Sequence, residues 1–239
     1  IDEAHNFERE AFDKCSTVFS GYDTLDLIGF LSSASGRRDT LLPRLKNVFP
    51  ELEPELTDAA HIGDRLRELS YRFFQQLGGL KGRDKRTGYS LVLESRLLES
   101  PEFAGVYSAY RDWQDQAQLL LGSLKELRDA LSGHEEELEL VNTISALQSI
   151  SDAAFNIMEE YLNREAYLHW IEYQDEQAVS ISASQVGMSE LLYQRLFARM
   201  ASVLMVSATI AVKQSFAYPI ERLGLEPIAA QERLHTLLE

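Results

Sequence analysis

The chain has 239 residues, which is enough for one large domain or two of ordinary size. Hydrophobic residues make up 45% and charged residues 26%, and these near-average fractions argue against bulk disorder or collagen-like repetition. No apolar run reaches the roughly 20 residues of a membrane-spanning helix, and the single cysteine excludes an internal disulfide or a metal site built from cysteines alone. We therefore expect a cytoplasmic protein without a membrane partner.

The net charge of −15 argues against a surface that binds nucleic acid throughout, because such binding depends on neutralising phosphates. A local basic groove remains compatible with that charge. The chain opens on Ile1-Asp2-Glu3-Ala4-His5 instead of a methionine, so we expect it to be a piece of a longer protein whose function it shares.

Apolar residues at helical spacing predict that the first third of the chain is mostly helical. Predicted breaks fall at polar or glycine-containing stretches, where caps and stops are expected. The predicted helices are residues 7–18, a short helix capped by Asp23 or Thr24, a short helix restarting at Asp39-Thr40, and a helix from about Thr57 to Gly78-Gly79.

A basic, glycine-containing loop is predicted over 80–88, and a short strand over 89–93. Cations beside aromatic residues are the composition of a groove that holds single-stranded nucleic acid. The alternative is a solvated loop beside core aromatics, and Phe73 fits the apolar stripe of its helix. The candidate DNA-binding residues are Lys81, Arg83, Lys85 and Arg86, with Arg37, Arg38, Arg44 and Lys46 as a second basic segment.

The clearest helical signal lies in the middle of the chain. Apolar residues recur every three or four positions over 103–131, Pro101 stands where a helix tolerates proline, and a second periodic stretch comes after a glycine turn. We predict a long antiparallel helical hairpin over 102–163 that projects from the rest, with Trp113 and Leu124 in its buried seam.

The period changes to two over 167–173 and 179–183, which predicts a β-hairpin around a polar turn. Ser189 is predicted to cap the next helix. The apolar run 203–206 predicts a strand buried on both faces of a parallel sheet, and a last helix is predicted over about 214–223.

These elements predict a mainly α protein with a small α/β part. A helix-rich block over 6–165 is predicted to be inserted between two pieces of one α/β domain, residues 1–5 and 166–239. The histidines show no spacing of a zinc site, so no zinc is expected.

The tetrapeptide Asp-Glu-Ala-His at 2–5 is the first candidate for chemistry. Nucleoside triphosphatases place adjacent carboxylates at the end of a strand, where the first holds Mg²⁺ and the next polarises the attacking water. The alternative is an acidic cap before a helix. Ser207-Ala208-Thr209 is the second candidate, and alone it could equally be a helix cap.

In this order the two motifs resemble motifs II and III of superfamily 2 helicases, and in particular those of the DinG/XPD-like branch. The first six residues are similar to that branch's acidic motif, and 205–210 are similar to its motif III. The stretches 215–218 and 222–225 resemble the segment after motif III in DinG-like proteins. The long gap between the motifs is where this branch carries a helix-rich arch domain, so the resemblance implies pieces of a RecA-like motor domain around an arch.

The resemblance implies a fragment of an ATP-dependent DNA helicase, a 5'–3' single-strand translocase whose arch guides single-stranded or forked DNA. ATP and Mg²⁺ are the implied cofactors. Asp2 would coordinate Mg²⁺ with Glu3 beside it, Glu3 would activate water, and His5 would couple the nucleotide state to motif III. Ser207 and Thr209 would link hydrolysis to DNA movement.

Two parts of such an enzyme are missing from this sequence. No phosphate-binding loop of the Gly-x-x-x-x-Gly-Lys-Ser/Thr type occurs, and the resemblance implies that the second motor domain with its arginine finger would follow Glu239, so the chain alone is predicted to be inactive as an ATPase. An iron–sulfur cluster is possible in the longer protein, but its segment would lie outside this chain. The expected location is the cytoplasm, with the bacterial nucleoid. The rival hypothesis is a non-enzymatic helical protein-interaction module in which the acidic tetrapeptide is incidental.

Overall fold

The computed structural model describes residues 1–32, 40–80, 90–174, 177–209, 211, 215–231 and 234–236. Helices account for 67% of it and accompany one small sheet, which confirms a mainly α protein. The chain divides into two compact units, and both are discontinuous in sequence. Unit 1 comprises Ile1–Ser16, Glu165–Leu168 and Ser184–Glu239, and unit 2 comprises Thr17–Arg164 and His169–Ala183. The domain limits predicted at 1–5, 6–165 and 166–239 stay a prediction.

Unit 2 is built on helices whose starts reflect local chemistry. The Ser20 hydroxyl accepts a hydrogen bond from the Asp23 backbone N–H at 3.2 Å, so Ser20, and neither Asp23 nor Thr24, caps its helix. Pro101 begins the longest helix, as predicted. The helices are α2 (Gly21–Leu31), α3 (Leu41–Val48), α4 (Glu53–Gly79), α5 (Ser95–Leu98), α6 (Pro101–Ala130) and α7 (Glu137–Phe155), with a 3-10 turn at Pro50–Leu52 and a π-helical segment at Asn156–Tyr161.

The core of unit 2 centres on Trp113 of α6. Its indole N–H donates to the Ser70 hydroxyl of α4 at 2.9 Å, and its ring lies 4.6 Å from that of Phe19. Trp113, Leu124 and Phe73 are fully buried, as predicted. Helix α6 packs along α7, as the predicted hairpin requires. The prediction that this hairpin projects from the rest is wrong, however, because α6 also packs along α4, which carries the hydrogen-bond partner of Trp113.

The sheet of unit 2 has four strands in the order β1-β4-β3-β2. Its predicted hairpin is confirmed, and buried Phe19 lies opposite buried Ile181 in the antiparallel register. The first strand was missed because the helix predicted over 7–18 ends at Cys15, where Ser16 turns to extended backbone before β-branched residues. The strands are β1 (Thr17–Ser20), β2 (Ser90–Val92), β3 (Tyr167–Gln174) and β4 (Gln177–Gln185).

Unit 1 packs short helices around a core of Leu192, Phe197, Leu223 and Leu225. Gly187, with φ of 85°, stands before its second helix, so the cap predicted at Ser189 is wrong. The helices are α1 (Phe7–Cys15), α8 (Met188–Arg195), α9 (Ala217–Arg222) and α10 (Glu226–Ala229), with 3-10 turns at Ala4–Asn6 and Phe197–Arg199. None of the helices in the described part of the chain combines the length and apolarity needed to cross a membrane.

The structure contradicts the prediction of a buried strand over 203–206. This segment is not assigned as a strand, and Val203, Leu204 and Val206 are 38%, 76% and 53% exposed, so burial on both faces is wrong. The physical reason is that its described backbone partners come from the first residues of the chain alone, on one side.

Candidate functional site

The two predicted motifs meet through their backbones in unit 1. The amino group of Ile1 donates to the Leu204 carbonyl at 2.7 Å, and the Val206 N–H donates to the Ile1 carbonyl at 2.9 Å. This alternation is the hydrogen-bond pattern of parallel strands, with Ile1 opposite Met205. Beyond this pair, the Ala4 N–H donates to the Val206 carbonyl at 3.0 Å. The segments therefore run in the same direction, and both motifs emerge at the same end.

Side chains of the two motifs are also in contact there. The His5 Nδ1 atom lies 2.8 Å from the Ser207 hydroxyl oxygen and 3.2 Å from a Glu3 carboxylate oxygen. The Thr209 N–H donates to the same Ser207 hydroxyl at 3.3 Å. Four of the five predicted motor residues thus lie together, with His5 Nδ1 between the Glu3 carboxylate and the Ser207 hydroxyl and with the Thr209 backbone on that hydroxyl, although more than 200 positions separate the motifs in sequence.

The fifth residue, Asp2, shapes the turn that presents the acidic pair. Its carboxylate accepts from the Glu3 backbone N–H at 2.9 Å, and the Glu3 carbonyl accepts from Asn6 N–H at 3.0 Å. In the described ranges, Glu3 is the one non-glycine residue with positive φ, at 49°. That left-handed conformation costs roughly 1–2 kcal/mol for an L-residue. Backbone strain of this kind concentrates at functional sites, and here it falls on the predicted water-activating residue.

The donor chemistry of the acidic pair fits Mg²⁺. Asp2 and Glu3 are adjacent and exposed, and carboxylate oxygens are the protein ligands that Mg²⁺ takes. Magnesium is commonly held by one or two carboxylates together with water and substrate phosphates. Within the part of the chain that the structure describes, no group of three or more His, Cys, Asp or Glu side chains could hold a metal ion. Asp2 and Glu3 would therefore supply a two-carboxylate site.

An ion pair that the sequence analysis did not identify ties together the segments that come after the two motifs. Arg222 of α9 pairs with Glu8 of α1, and the hydrogen bond to Glu8 raises the pKa of the Arg222 guanidinium. Phe7 packs edge-on against Phe197 with ring centroids 6.2 Å apart. Opposite charges at these two positions were visible in the sequence, but nothing in the spacing paired them.

The predicted DNA-binding residues Lys81, Arg83, Lys85 and Arg86 lie outside the described residues, as do Arg37 and Arg38. The other two cations of the second basic segment are held by carboxylates of unit 2. Arg44 pairs with Glu139, and Lys46 pairs with Glu53 at 2.6 Å. Both cations therefore have an intramolecular partner.

The chain is similar to the Bacillus subtilis (strain 168) protein named 3'-5' exonuclease DinG. The two are 27% identical over an alignment of 248 residues, which covers 94% of this chain and 26% of that protein. The chain therefore spans about a quarter of the length of this relative. No family model matches the chain. The similarity extends along nearly the whole of this chain.

Proposed function

We propose that this chain is part of a DinG-like enzyme that hydrolyses ATP to act on DNA, and that it carries two motifs of the first motor domain around a helical insertion. The observation that carries the proposal is the parallel backbone pairing of Ile1 with Met205, which joins the acidic motif to the Ser-Ala-Thr motif. The similarity to DinG of Bacillus subtilis supports it.

In the proposed mechanism, Asp2 and Glu3 would hold a hydrated Mg²⁺, and that ion would neutralise charge on the phosphates. Glu3 orients and polarises the attacking water, because its carboxylate is exposed and stands on a turn fixed by Asp2. His5 touches both Glu3 and Ser207, so a change in the hydrogen bonding of Glu3 reaches the second motif through one imidazole. We infer that this contact couples the nucleotide state to DNA movement.

The helical insertion, including α4, α6 and α7, would guide single-stranded or forked DNA, and movement along it would run 5'–3'. The relative is named for 3'-5' exonuclease activity. This chain covers 26% of that protein, so we propose for it only the ATP-hydrolysing motifs that its own residues carry, and no exonuclease activity.

The test uses the full-length protein with Glu3→Gln. Turnover of ATP stimulated by DNA should fall at least about a hundredfold, while ATP binding should persist because the phosphate-binding groups are untouched. The matched control is Glu10→Gln on the exposed side of α1, which should keep near wild-type turnover. Wild-type turnover in Glu3→Gln would refute the role of Glu3. A full-length protein that binds no ATP would refute the proposal and favour the non-enzymatic interaction module.

A further inference from the structure

A cavity of about 390 Å³ that opens to solvent lies in unit 2, between α6 and the end of α7 with the segment that follows it. Its size falls in the range of small-molecule sites in proteins. Polar and charged side chains from both helices line it, with Phe155 as the aromatic wall. No step of the proposed ATP chemistry uses this cavity, so it poses a separate question.

Two side chains that line this cavity each carry a buried polar atom without a hydrogen-bond partner among the described residues: the Tyr110 hydroxyl and the Gln114 Oε1 atom. Tyr110 is fully buried, and burial, with the Glu159 carboxylate adding to it, raises the pKa of its hydroxyl. The hydroxyl therefore stays protonated and neutral at neutral pH. An unpaired buried polar group is costly, so both atoms are expected to meet a partner that enters the cavity.

The orientation of Gln114 is set by the opposite end of its amide. Its Nε2 donates to the Ser151 hydroxyl at 3.0 Å, and Gln118 donates to the same oxygen at 2.9 Å. This leaves the Gln114 Oε1 atom as an acceptor without a donor. The ligand must therefore supply at least one N–H or O–H group.

The charged side chains around the cavity indicate whether the ligand is a cation or an anion. Three carboxylates, Asp115, Asp152 and Glu159, line the cavity beside one cation, Arg111. Arg111 is already used, because its guanidinium lies 3.3 Å from Glu159, which also accepts from the Tyr107 hydroxyl at 2.8 Å. The net negative charge favours a cation.

The backbone at this cavity is also unusual. Directly after Phe155, α7 gives way to a π-helical segment, Asn156–Tyr161, which carries Glu159. Such segments are rare and occur frequently at functional sites. Phe155 is 43% exposed and offers an apolar face to a methylene chain or a cation.

We infer that this cavity binds a primary alkylammonium group. Its three N–H donors match the Gln114 Oε1 atom, the Tyr110 hydroxyl oxygen and a carboxylate of Asp115 or Asp152, while its alkyl stem lies along Phe155. The group belongs either to a free diamine or to a lysine side chain of a partner protein. The inference does not depend on the proposed ATP chemistry.

The test is calorimetric titration of the 239-residue chain with putrescine, and separately with Nα-acetyl-lysine amide, at constant ionic strength. Both carry the primary ammonium, and the tighter of the two identifies the source. Tyr110→Phe keeps shape and charge but removes the hydroxyl, so putrescine affinity should fall about tenfold, the loss expected for one hydrogen bond to a charged group. Asp115→Asn should weaken binding similarly, whereas Glu126→Gln, an exposed control on α6, should not.

Three results would overturn the inference. Tetramethylammonium has the charge without N–H donors, and equal affinity for it would show that only general attraction to an acidic chain is measured. Unchanged putrescine affinity in Tyr110→Phe would remove the hydroxyl from the site. Saturable binding of inorganic phosphate without binding of either amine would reverse the sign of the ligand, and no saturable amine binding would assign the cavity to water.

Discussion

Replacing Gly224 with alanine tests how tightly unit 1 is packed beside its core. Gly224 has φ of 69°, and a β-carbon there would overlap the Ser189 carbonyl oxygen and lie 2.6 Å from its carbonyl carbon. The left-handed conformation costs an alanine roughly 1–2 kcal/mol. Displacing a packed backbone adds about 1–3 kcal/mol. We therefore expect Gly224→Ala to lower the free energy of unfolding by about 2–5 kcal/mol.

Two other glycines separate these contributions. Gly133 also has positive φ, 86°, but a β-carbon there meets nothing within 4 Å, so Gly133→Ala should lose only the conformational part, roughly 1–2 kcal/mol. Gly122 lies inside α6 with open space around it, so Gly122→Ala should gain about 0.5–1 kcal/mol.

The assay is urea unfolding monitored by far-ultraviolet circular dichroism, because Trp113 and Trp170 both belong to unit 2 and their fluorescence reports that unit. Hydrogen exchange at the amides of α8 and α9 locates the loss caused by Gly224→Ala. If Gly224→Ala costs no more than Gly133→Ala, the Ser189 backbone moves aside freely and the packing argument is refuted.

The remaining predictions concern unit 2 and the basic loop. Ser70→Ala leaves the buried Trp113 indole N–H without its partner and should lower the free energy of unfolding by about 1–3 kcal/mol. Trp113→Ala should lower it by about 3–5 kcal/mol. Equal losses in urea unfolding would contradict this order. Burial raises the pKa of the Tyr173 hydroxyl from its usual value of 10.0 to about 12. The contribution of Tyr173 to stability is therefore complete below pH 10 and is lost as the pH rises toward 12. Tyr173→Phe should flatten that alkaline loss in unfolding curves measured between pH 9 and 12, and an unchanged slope would exclude Tyr173 as its source. Reversing the charges of Lys81, Arg83, Lys85 and Arg86 in the full-length protein should weaken single-strand binding for all sequences and flatten its salt dependence, with DNA-free ATPase retained. An unchanged salt slope would mean that this loop is merely solvated.

The sequence predicted the long helix α6 well because two independent signals agree there. Pro101 marks the start, and apolar side chains at every third or fourth position continue to the end. Its partner was harder to predict, because helical periodicity shows which face is buried but not which helix covers it. Ser70 of α4, the partner of Trp113, has no signature in sequence.

The first strand and the segment 203–206 failed for opposite reasons. The helix predicted over 7–18 runs three residues past Cys15, where the helix ends, because Ser16 is a weaker stop signal than glycine or proline. For the segment 203–206, the apolar run predicts burial on both faces, although burial depends on neighbouring elements that the run itself does not encode.

The candidate site also has a part that the sequence predicts and a part that it does not. The contact between His5 and Ser207 agrees with the motif order, but only the resemblance to helicases gave a reason to expect it. The cavity beside α6 could not be predicted. Tyr110 lies within the periodic stretch 103–131 and is buried, yet burial of a ring does not reveal that its hydroxyl lacks a partner among the described residues. Hydrogen-bond satisfaction is a property of the packed structure.

The parallel pairing of Ile1 with Met205 has a consequence for the order of folding. Closing a loop of 203 residues costs about 5 kcal/mol of chain entropy, so this pairing is slow to form from an open chain. Thr17 of β1 lies opposite Ala183 of β4, and once that pair forms, the remaining path between the motifs shrinks to roughly 40 residues, which lowers the closure cost by about 1.5 kcal/mol. Pairing of β1 with β4 thus shortens the loop that must close before Ile1 can pair with Met205. A substitution at buried Phe19 would therefore delay the pairing of Ile1 with Met205 through chain connectivity alone, without touching Asp2 or Glu3.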